Sequence, residues 1–395
     1  VGGQIGHLEA VFTLTNTLIG AGVLGVPYVF PQAGLGLSLG ILAVVVALVM
    51  LAGVLLVRCL DHAEGQDESA EAEIDFGLLG QLAFGRKGQA GINCVFALEL
   101  WLATVIFFVL IGINTKFVFG LEPWLSIVVS GLLTFGLFYI PMRVLAFLSL
   151  ISVLFMGLLL AVLVYSGESM PMHADQIEQL VWVNWAGSGQ ALGVFLLCFA
   201  GAPCIPSIYS AARDKRRFPV ALILSCILAM LYYAACGALG YMFYGSQINQ
   251  SFTVNLGLAL DGSGLKGGEV LPLIAAVGLL VKLQATMPVI VSPVLVALGW
   301  KGVVLKILYI ALTSAVAIGL SEYVDAAMSI TGLSATVTSA VLFPIVVYIK
   351  LCKPPLVARL SLGLICTLAA TVAVIGSVQT AIGLVNKEAF SAGMS

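Results

Sequence analysis

Long apolar runs alternate with short polar connections along the whole chain. Runs of roughly 20 residues or more recur, and each is long enough to cross a hydrocarbon layer of about 30 Å as a helix. They predict eleven membrane spans, at 8–32, 35–60, 89–118, 122–141, 143–166, 188–213, 217–245, 268–300, 302–321, 323–350 and 355–384. Because the connections are short, we expect one compact, all-α polytopic membrane domain.

Composition supports the same class of protein. Of 395 residues, 61% are hydrophobic and only 9% are charged, whereas a soluble domain carries about 25% charged residues. The lipid bilayer is therefore an expected partner, nucleic acid is not, and we expect a monomer. The longest polar stretch, 61–87, is acidic, and we interpret it as a solvated, partly disordered cytosolic loop without chemistry.

The basic residues predict the orientation of the chain. If the N-terminus is cytosolic, thirteen of the 17 lysines and arginines lie in cytosolic connections and three on the other side, as the positive-inside rule requires. The remaining one is Lys282, in the middle of the eighth span. A glycosylation sequon at Asn249 fits the same topology. The chain begins at Val1 rather than Met, so we expect further residues ahead of it.

Enzymatic chemistry has no support in the sequence. The three histidines lie in loops or near span ends, and no nucleophile elbow, phosphate-binding loop or HExxH motif occurs. All eight cysteines fall within spans or at their cytosolic ends, which leaves no luminal pair for a disulfide. We therefore expect neither an enzyme nor a metal or cofactor.

Two spans carry residues that break helices. The first is interrupted by Gly20-Ala21-Gly22 and Gly25, and the sixth by Gly201-Ala202-Pro203. The backbone groups freed by such breaks must be satisfied by protein, water or ligand rather than lipid. Each motif alone also fits close helix packing or a simple kink.

The positions of the two breaks favour a binding site. Spans one and six begin two five-helix halves of opposite orientation, 1–166 and 167–350, followed by an eleventh helix and tail at 351–395. Inverted repeats with paired broken helices hold substrate near the bilayer midplane in many secondary transporters. Half-helix N-termini attract a carboxylate and half-helix C-termini an ammonium, which suits an amino acid. We expect Gly22 and Gly25 to leave room for substrate to approach the backbone.

The segment NTLIGAGVLGVPYVFPQAG, from Asn16, resembles the first-helix signature of the amino acid/auxin permease family, N-x-x-x-G-x-G-x-L-G-x-P-Y-x-x-x-x-x-G. Within that family the chain is most similar to the vesicular inhibitory amino acid transporter type. Glu99 in FALELW and Lys282 in LVKLQATMP match an acid and a lysine there, but AGAPC in span six departs from it. The resemblance implies a LeuT-type 5+5 inverted repeat with an eleventh helix, in which spans 1, 2, 6 and 7 move against spans 3, 4, 8 and 9.

Glu99 and Lys282 are charged residues near mid-depth, where each charge costs about 3 kcal/mol on insertion scales. One interpretation is a structural ion pair between spans three and eight. The other places the Lys282 ammonium at the cation position beside the broken first helix, where it stands in for sodium and can release its proton. Thr286 and Ser292 are alternative hydroxyl ligands for sodium, although a fixed ammonium would repel that ion.

These observations lead to a functional hypothesis: a secondary active transporter of small neutral amino acids, working by alternating access and exchanging substrate for protons with an acidic vesicle, vacuole or lysosome. The alternatives are a sodium-coupled symporter at a plasma membrane and an amino acid sensor. The ion-coupling candidates are Lys282, Glu99 and Thr286. The substrate-binding candidates are Asn16, Ile19, Gly20, Ala21, Gly22, Val23, Leu24, Gly25, Ala200, Gly201, Ala202 and Pro203.

Overall fold

The computed structural model describes residues 5–64, 75–139, 154–165, 180–256, 270–297 and 302–392, and these are almost wholly helical. Helices are numbered by span, with letters for the halves of a divided span. They are α1a (His7–Leu18), α1b (Val26–Ala33), α2 (Leu35–Glu64), α3 (Phe76–Phe119), α4 (Pro123–Leu137), α5 (Leu154–Tyr165), α6a (Ser188–Leu197), α6b (Ile205–Ala211), α7 (Phe218–Tyr244), α8 (Val270–Ala297), α9 (Val303–Gly319), α10a (Val324–Thr331), α10b (Phe343–Leu351) and α11 (Leu356–Ala392).

Each of the eleven predicted spans contains helix. Six helical stretches in the described part are long and apolar enough to cross a membrane, and four shorter ones are apolar as well. Half of the predicted fifth span, 143–153 and 166, lies outside the described residues. The chain is thus a multi-pass, all-helical membrane protein.

The helices pack in two groups around the divided spans. In the first group α3 packs along α8, and α4 and α9 pack on α3 and on each other. In the second, α7 packs against α1a, α1b and α2. Helices α6a and α10a lie side by side, and α11 covers α6a.

The polar stretch after α2 differs from the predicted loop. Helix α2 continues to Glu64, and α3 begins at Phe76, where the Asp75 side chain accepts a hydrogen bond from the Leu78 amide at 2.7 Å. A side-chain cap of this kind starts a helix. A break at Gly85, where φ is 70°, separates this first segment of α3 from the part that forms the predicted third span. The expected loop at 61–87 is therefore shorter at both ends, and only 65–74 lie outside the described residues.

Span ten contains an irregularity that the sequence does not indicate. Two π-helical turns, Gly332–Thr336 and Thr338–Leu342, separate α10a from α10b. Turns of this type are rare and occur often at functional sites. They lie opposite Glu99 of α3.

Candidate functional site

Both predicted breaks are present. Helix α1a ends at Leu18, a 3₁₀ turn covers Ala21–Leu24, and α1b begins at Val26. In span six, α6a ends at Leu197, a 3₁₀ turn covers Ala202–Cys204, and α6b follows directly. Four helix ends, two C-terminal and two N-terminal, are thereby placed inside the membrane-spanning part of the protein.

The two breaks pack against each other through a reciprocal pair of glycines. A Cβ atom on Gly22 would lie 2.8 Å from Cys198 Sγ and 3.1 Å from Cys198 Cα, in the second break. A Cβ atom on Gly201 would lie 2.6 Å from the Thr17 carbonyl oxygen, in the last turn of α1a before the first break. Each span therefore needs a glycine where the backbone of the other passes. This is the close-packing role of glycine in membrane helices.

The open position is Gly20. No atom lies within 4 Å of a Cβ built on Gly20, whereas one on Gly25 would lie 2.8 Å from Met328 Cε. Gly22 and Gly25 therefore face neighbouring helices rather than the open space that we expected at them. Of the glycines in these two breaks, Gly20 alone borders free volume, and substrate could approach the backbone there.

Tyr233, on α7, joins the two breaks. Its side chain is fully buried, and the single proton of its hydroxyl is shared between the carbonyl oxygens of Leu18, at 2.7 Å, and Cys198, at 3.1 Å. The same oxygen accepts from the Gly20 amide at 3.3 Å. One side chain thus satisfies backbone groups at the C-terminal ends of both α1a and α6a.

Sequence reasoning missed Tyr233, because an aromatic residue in an apolar helix is usually only packing. The pair Tyr232-Tyr233 in an otherwise apolar span was the available signal. A buried tyrosine hydroxyl generally has a hydrogen-bond partner, so such a pair marks polar backbone nearby.

Lys282, on α8, lies at the end of α1a. Its side chain is buried, with 5% of its surface exposed, and Nζ donates to the Ile19 carbonyl oxygen at 3.0 Å. Ile19 is the C-cap of α1a, which has no basic residue in its own last turn. A cation at a helix C-terminus is stabilised by the helix dipole and by hydrogen bonds to the free carbonyls. Lys282 supplies that cation from another helix.

Glu99 lies elsewhere in the site. It is completely buried, and neither of its carboxylate oxygens has a hydrogen-bond partner. It faces Thr336 and Ser339 in the π-helical part of span ten and Cys204 in the second break. Glu99 and Lys282 are not within ion-pairing distance, and the two salt bridges of the described residues involve other side chains. The geometry therefore offers no support for a structural pair.

The other predicted residues surround the breaks with differing exposure. Val23 and Leu24 are fully buried in the hydrophobic core, and Ala202 and Pro203 are buried. Asn16, Ala200 and Gly201 are half-buried. The Thr286 hydroxyl donates to the Lys282 carbonyl oxygen at 2.8 Å, within its own helix. The buried apolar residues at the breaks could contact a ligand only through their backbone N–H and C=O groups.

A polar cluster closes the other end of span six. The Tyr209 hydroxyl of α6b donates to Asp61 of α2, and Lys215 pairs with Glu64. Ile5 forms an isolated parallel β-bridge with Ala212, which anchors the start of the chain at this end. Asp61 and Glu64, which we predicted to be solvated loop residues, are thus contacts between helices.

Two divided spans, close-packed backbone and a buried ammonium in a multi-pass bundle are features of a membrane transporter. The family described as transmembrane amino acid transporter protein matches residues 3–386. The chain belongs to that family.

Relatives in Arabidopsis thaliana are named as amino acid transporters. Amino acid transporter AVT1I is 28% identical over 269 residues, which cover 64% of this chain and 63% of that protein. Amino acid transporter ANT1 is 26% identical over 300 residues, covering 74% of this chain and 67% of that protein. The match to AVT1I spans less than two thirds of that relative's length. Amino acid transporters are not enzymes, and neither is this chain.

A solved structure with detectable likeness is a manganese transporter from Eremococcus coleocola in complex with an aromatic bis-isothiourea compound. It is 14% identical, the alignment covers 95% of this chain and 94% of that one, and the TM-score is 0.49. Likeness of that extent does not establish a shared fold.

Proposed function

We propose that the protein is a secondary active transporter that moves small neutral amino acids by alternating access and exchanges them for protons. The family membership supports amino acids as the cargo, and both A. thaliana relatives are named as amino acid transporters. The coupling, the substrate size and the membrane are our own inference. An acidic organelle is the membrane that we favour.

The observation that carries the proposal is the hydrogen bond from Lys282 Nζ to the Ile19 carbonyl oxygen, 3.0 Å long. The bond puts the Lys282 side chain at the break of the first span, on the carbonyl of the residue next to Gly20. Because the ammonium and the freed carbonyl satisfy each other, loss of the proton would release the end of α1a. Proton release and movement of the first span would then be linked by one contact.

The same contact argues against sodium as the coupling ion. A sodium ion at this break would need several oxygen ligands, and the ammonium already occupies the Ile19 carbonyl. A second positive charge beside a buried ammonium would also be repelled.

Substrate would bind at the remaining groups of the two breaks. The N-terminal ends of α1b and α6b lie at the breaks, and helix N-termini in general attract a carboxylate. Pro27 and Pro206 each remove one amide there, so the later amides of the first turns are the candidates. Gly20 borders the volume in which the rest of the molecule would lie. Small side chains are favoured because Val23, Leu24 and Ala202 already fill the core around the breaks.

The packing supports a moving bundle. Helices α1a, α1b and α2 pack on α7, while α3, α4, α8 and α9 pack on one another. The Lys282 contact joins a helix of the second set to one of the first. Loss of this hydrogen bond would therefore change the packing between the two sets of helices.

The test is flux in liposomes that contain the purified protein, with a panel of radiolabelled amino acids. A lumen more acidic than the outside should drive accumulation of small neutral amino acids, and replacing sodium with choline should change nothing. Accumulation that requires a sodium gradient would contradict proton exchange. Saturable binding without flux would indicate the sensor alternative instead.

A further inference from the structure

A separate cavity lies at the start of span six, at the end opposite the Tyr209–Asp61 contact. It measures about 310 Å³, near the lower limit of ligand pockets. It is bounded by α1b, the start of span six, α10a and the end of α11. This is the end of the bundle away from Arg213, which follows α6b. Its polar lining residues include Tyr28, Gln32, Asn184, Gln190, Asp325 and Gln379.

The cavity is distinct from the two breaks. Two residues of α1b line the cavity: Tyr28 lies three residues beyond Gly25 and Gln32 lies seven, which is about 4.5 and 10 Å along the helix at 1.5 Å per residue. None of the break residues contributes to its lining. Helix α11, which has no role in the central site, forms one wall.

Asp325 is the charged residue of this lining, and neutral groups surround it. Its carboxylate accepts hydrogen bonds from Gln190 Nε2 at 2.9 Å and from Gln250 Nε2 at 3.0 Å. The Tyr28 hydroxyl lies against it as well. Within the described residues no lysine or arginine pairs with it. The amides satisfy the carboxylate oxygens of Asp325 but do not cancel its negative charge. Only 9% of the residue's surface is exposed.

A buried carboxylate without a counter-ion attracts a cation, and the low-dielectric walls strengthen the attraction. The groups that line the cavity decide which kind of cation it binds. A metal ion would need about six or more oxygen ligands at roughly 2.3 to 2.6 Å, as calcium does, and in the described part of the chain no three acidic, histidine or cysteine side chains are grouped to hold one. A cavity with a single carboxylate and several amides better fits an organic ammonium.

We propose that this cavity is a second binding site, which holds the ammonium end of an amino acid against Asp325 on the face opposite Arg213. The inference rests on the proposed function for the source of the ammonium. An ammonium offers three donors. Asp325 and the amide oxygens of Gln190 and Gln379 provide acceptors around one space.

The experiment uses two probes on the protein in lipid nanodiscs, with binding measured by calorimetry. Glycine methyl ester, at a pH where its amine is charged, carries an ammonium without a carboxylate. N-acetylglycine carries a carboxylate without an ammonium. The ester should bind to this cavity and N-acetylglycine should not.

Two variants locate the ester. Asp325→Asn should weaken its binding about tenfold or more, as expected when a hydrogen bond to a charged group is lost. Gly383→Leu should do the same by adding bulk to the α11 wall, where Gly383 lines the cavity. Asp214→Asn, at an exposed carboxylate on the opposite face, is the matched control and should have no effect.

The outcomes separate this proposal from the transport proposal. Unchanged ester affinity in both cavity variants, or displacement of the ester by an equal concentration of sodium, would overturn the ammonium site. Amino acid uptake is measured in liposomes from the same preparations. If uptake is absent but ester binding still depends on Asp325, the second site stands and the transport proposal fails.

Discussion

Replacing Tyr233 with phenylalanine removes one oxygen and leaves the ring in place. That oxygen contacts Leu18, Gly20 and Cys198 at 2.7, 3.3 and 3.1 Å. The ring packs edge-on against Phe199, with centroids 5.8 Å apart, and this packing should persist. The substitution therefore tests the hydrogen bonds that link the two breaks, without a change in ring packing.

The expected loss follows from the number of groups left without a partner. Two carbonyls and an amide in a buried site lose the hydroxyl, and each buried unsatisfied group costs about 1 to 3 kcal/mol. Partial relaxation of a break lowers the total, so we expect Tyr233→Phe to destabilise the protein by about 2 to 4 kcal/mol. Tyr232→Phe is the matched control. Its hydroxyl donates to the Met156 carbonyl at 2.9 Å and also contacts the Cys236 thiol, a weak partner, so about 1 kcal/mol is expected.

Thermal unfolding of both variants in the same detergent, together with amino acid binding, provides the assay. Tyr233→Phe should melt at a clearly lower temperature than Tyr232→Phe and should bind substrate more weakly, because the breaks are no longer held together. Equal melting temperatures would refute the reasoning. They would mean that the link between the breaks contributes nothing beyond an ordinary hydrogen bond.

Gly20→Ala should keep or slightly raise stability, by up to about 1 kcal/mol, yet weaken amino acid binding severalfold, since the new methyl enters open space. Gly22→Ala should instead cost about 1 to 3 kcal/mol because it collides with Cys198, and similar melting of the two variants would contradict the packing. Glu99→Gln should raise the melting temperature, because it removes a carboxylate buried without a hydrogen-bond partner. Combined with Lys282→Ala its effect should be additive, and a strong departure from additivity would indicate that the two residues are coupled after all.

The spans and the two breaks were predictable from local sequence. Hydropathy over about 20 residues is a local property, and so is the weakening of a helix by glycine and proline at Gly20–Gly25 and Gly201–Pro203. The polar atoms that hydrogen-bond to the backbone at the breaks were harder to predict from the sequence. Lys282 was identifiable because a charge in an apolar span is conspicuous.

The remaining features depend on tertiary packing. Whether a glycine faces open space or a neighbouring helix depends on the crossing of spans one and six, so Gly20 and Gly22 could not be distinguished by sequence. Glu99 and Lys282 looked like a pair because both lie near mid-depth. Depth along a helix does not determine which direction a side chain takes around its axis, and the two residues face different breaks.

The central claim is that the Lys282 ammonium at the end of α1a couples proton release to amino acid movement. The most direct test is Lys282→Ala in liposomes, with proton-driven accumulation and counterflow exchange measured on the same vesicles. We predict that accumulation is lost while exchange of labelled for unlabelled amino acid remains, and that Lys306→Gln, at the start of α9, keeps both. Full proton-driven accumulation by Lys282→Ala would contradict the account.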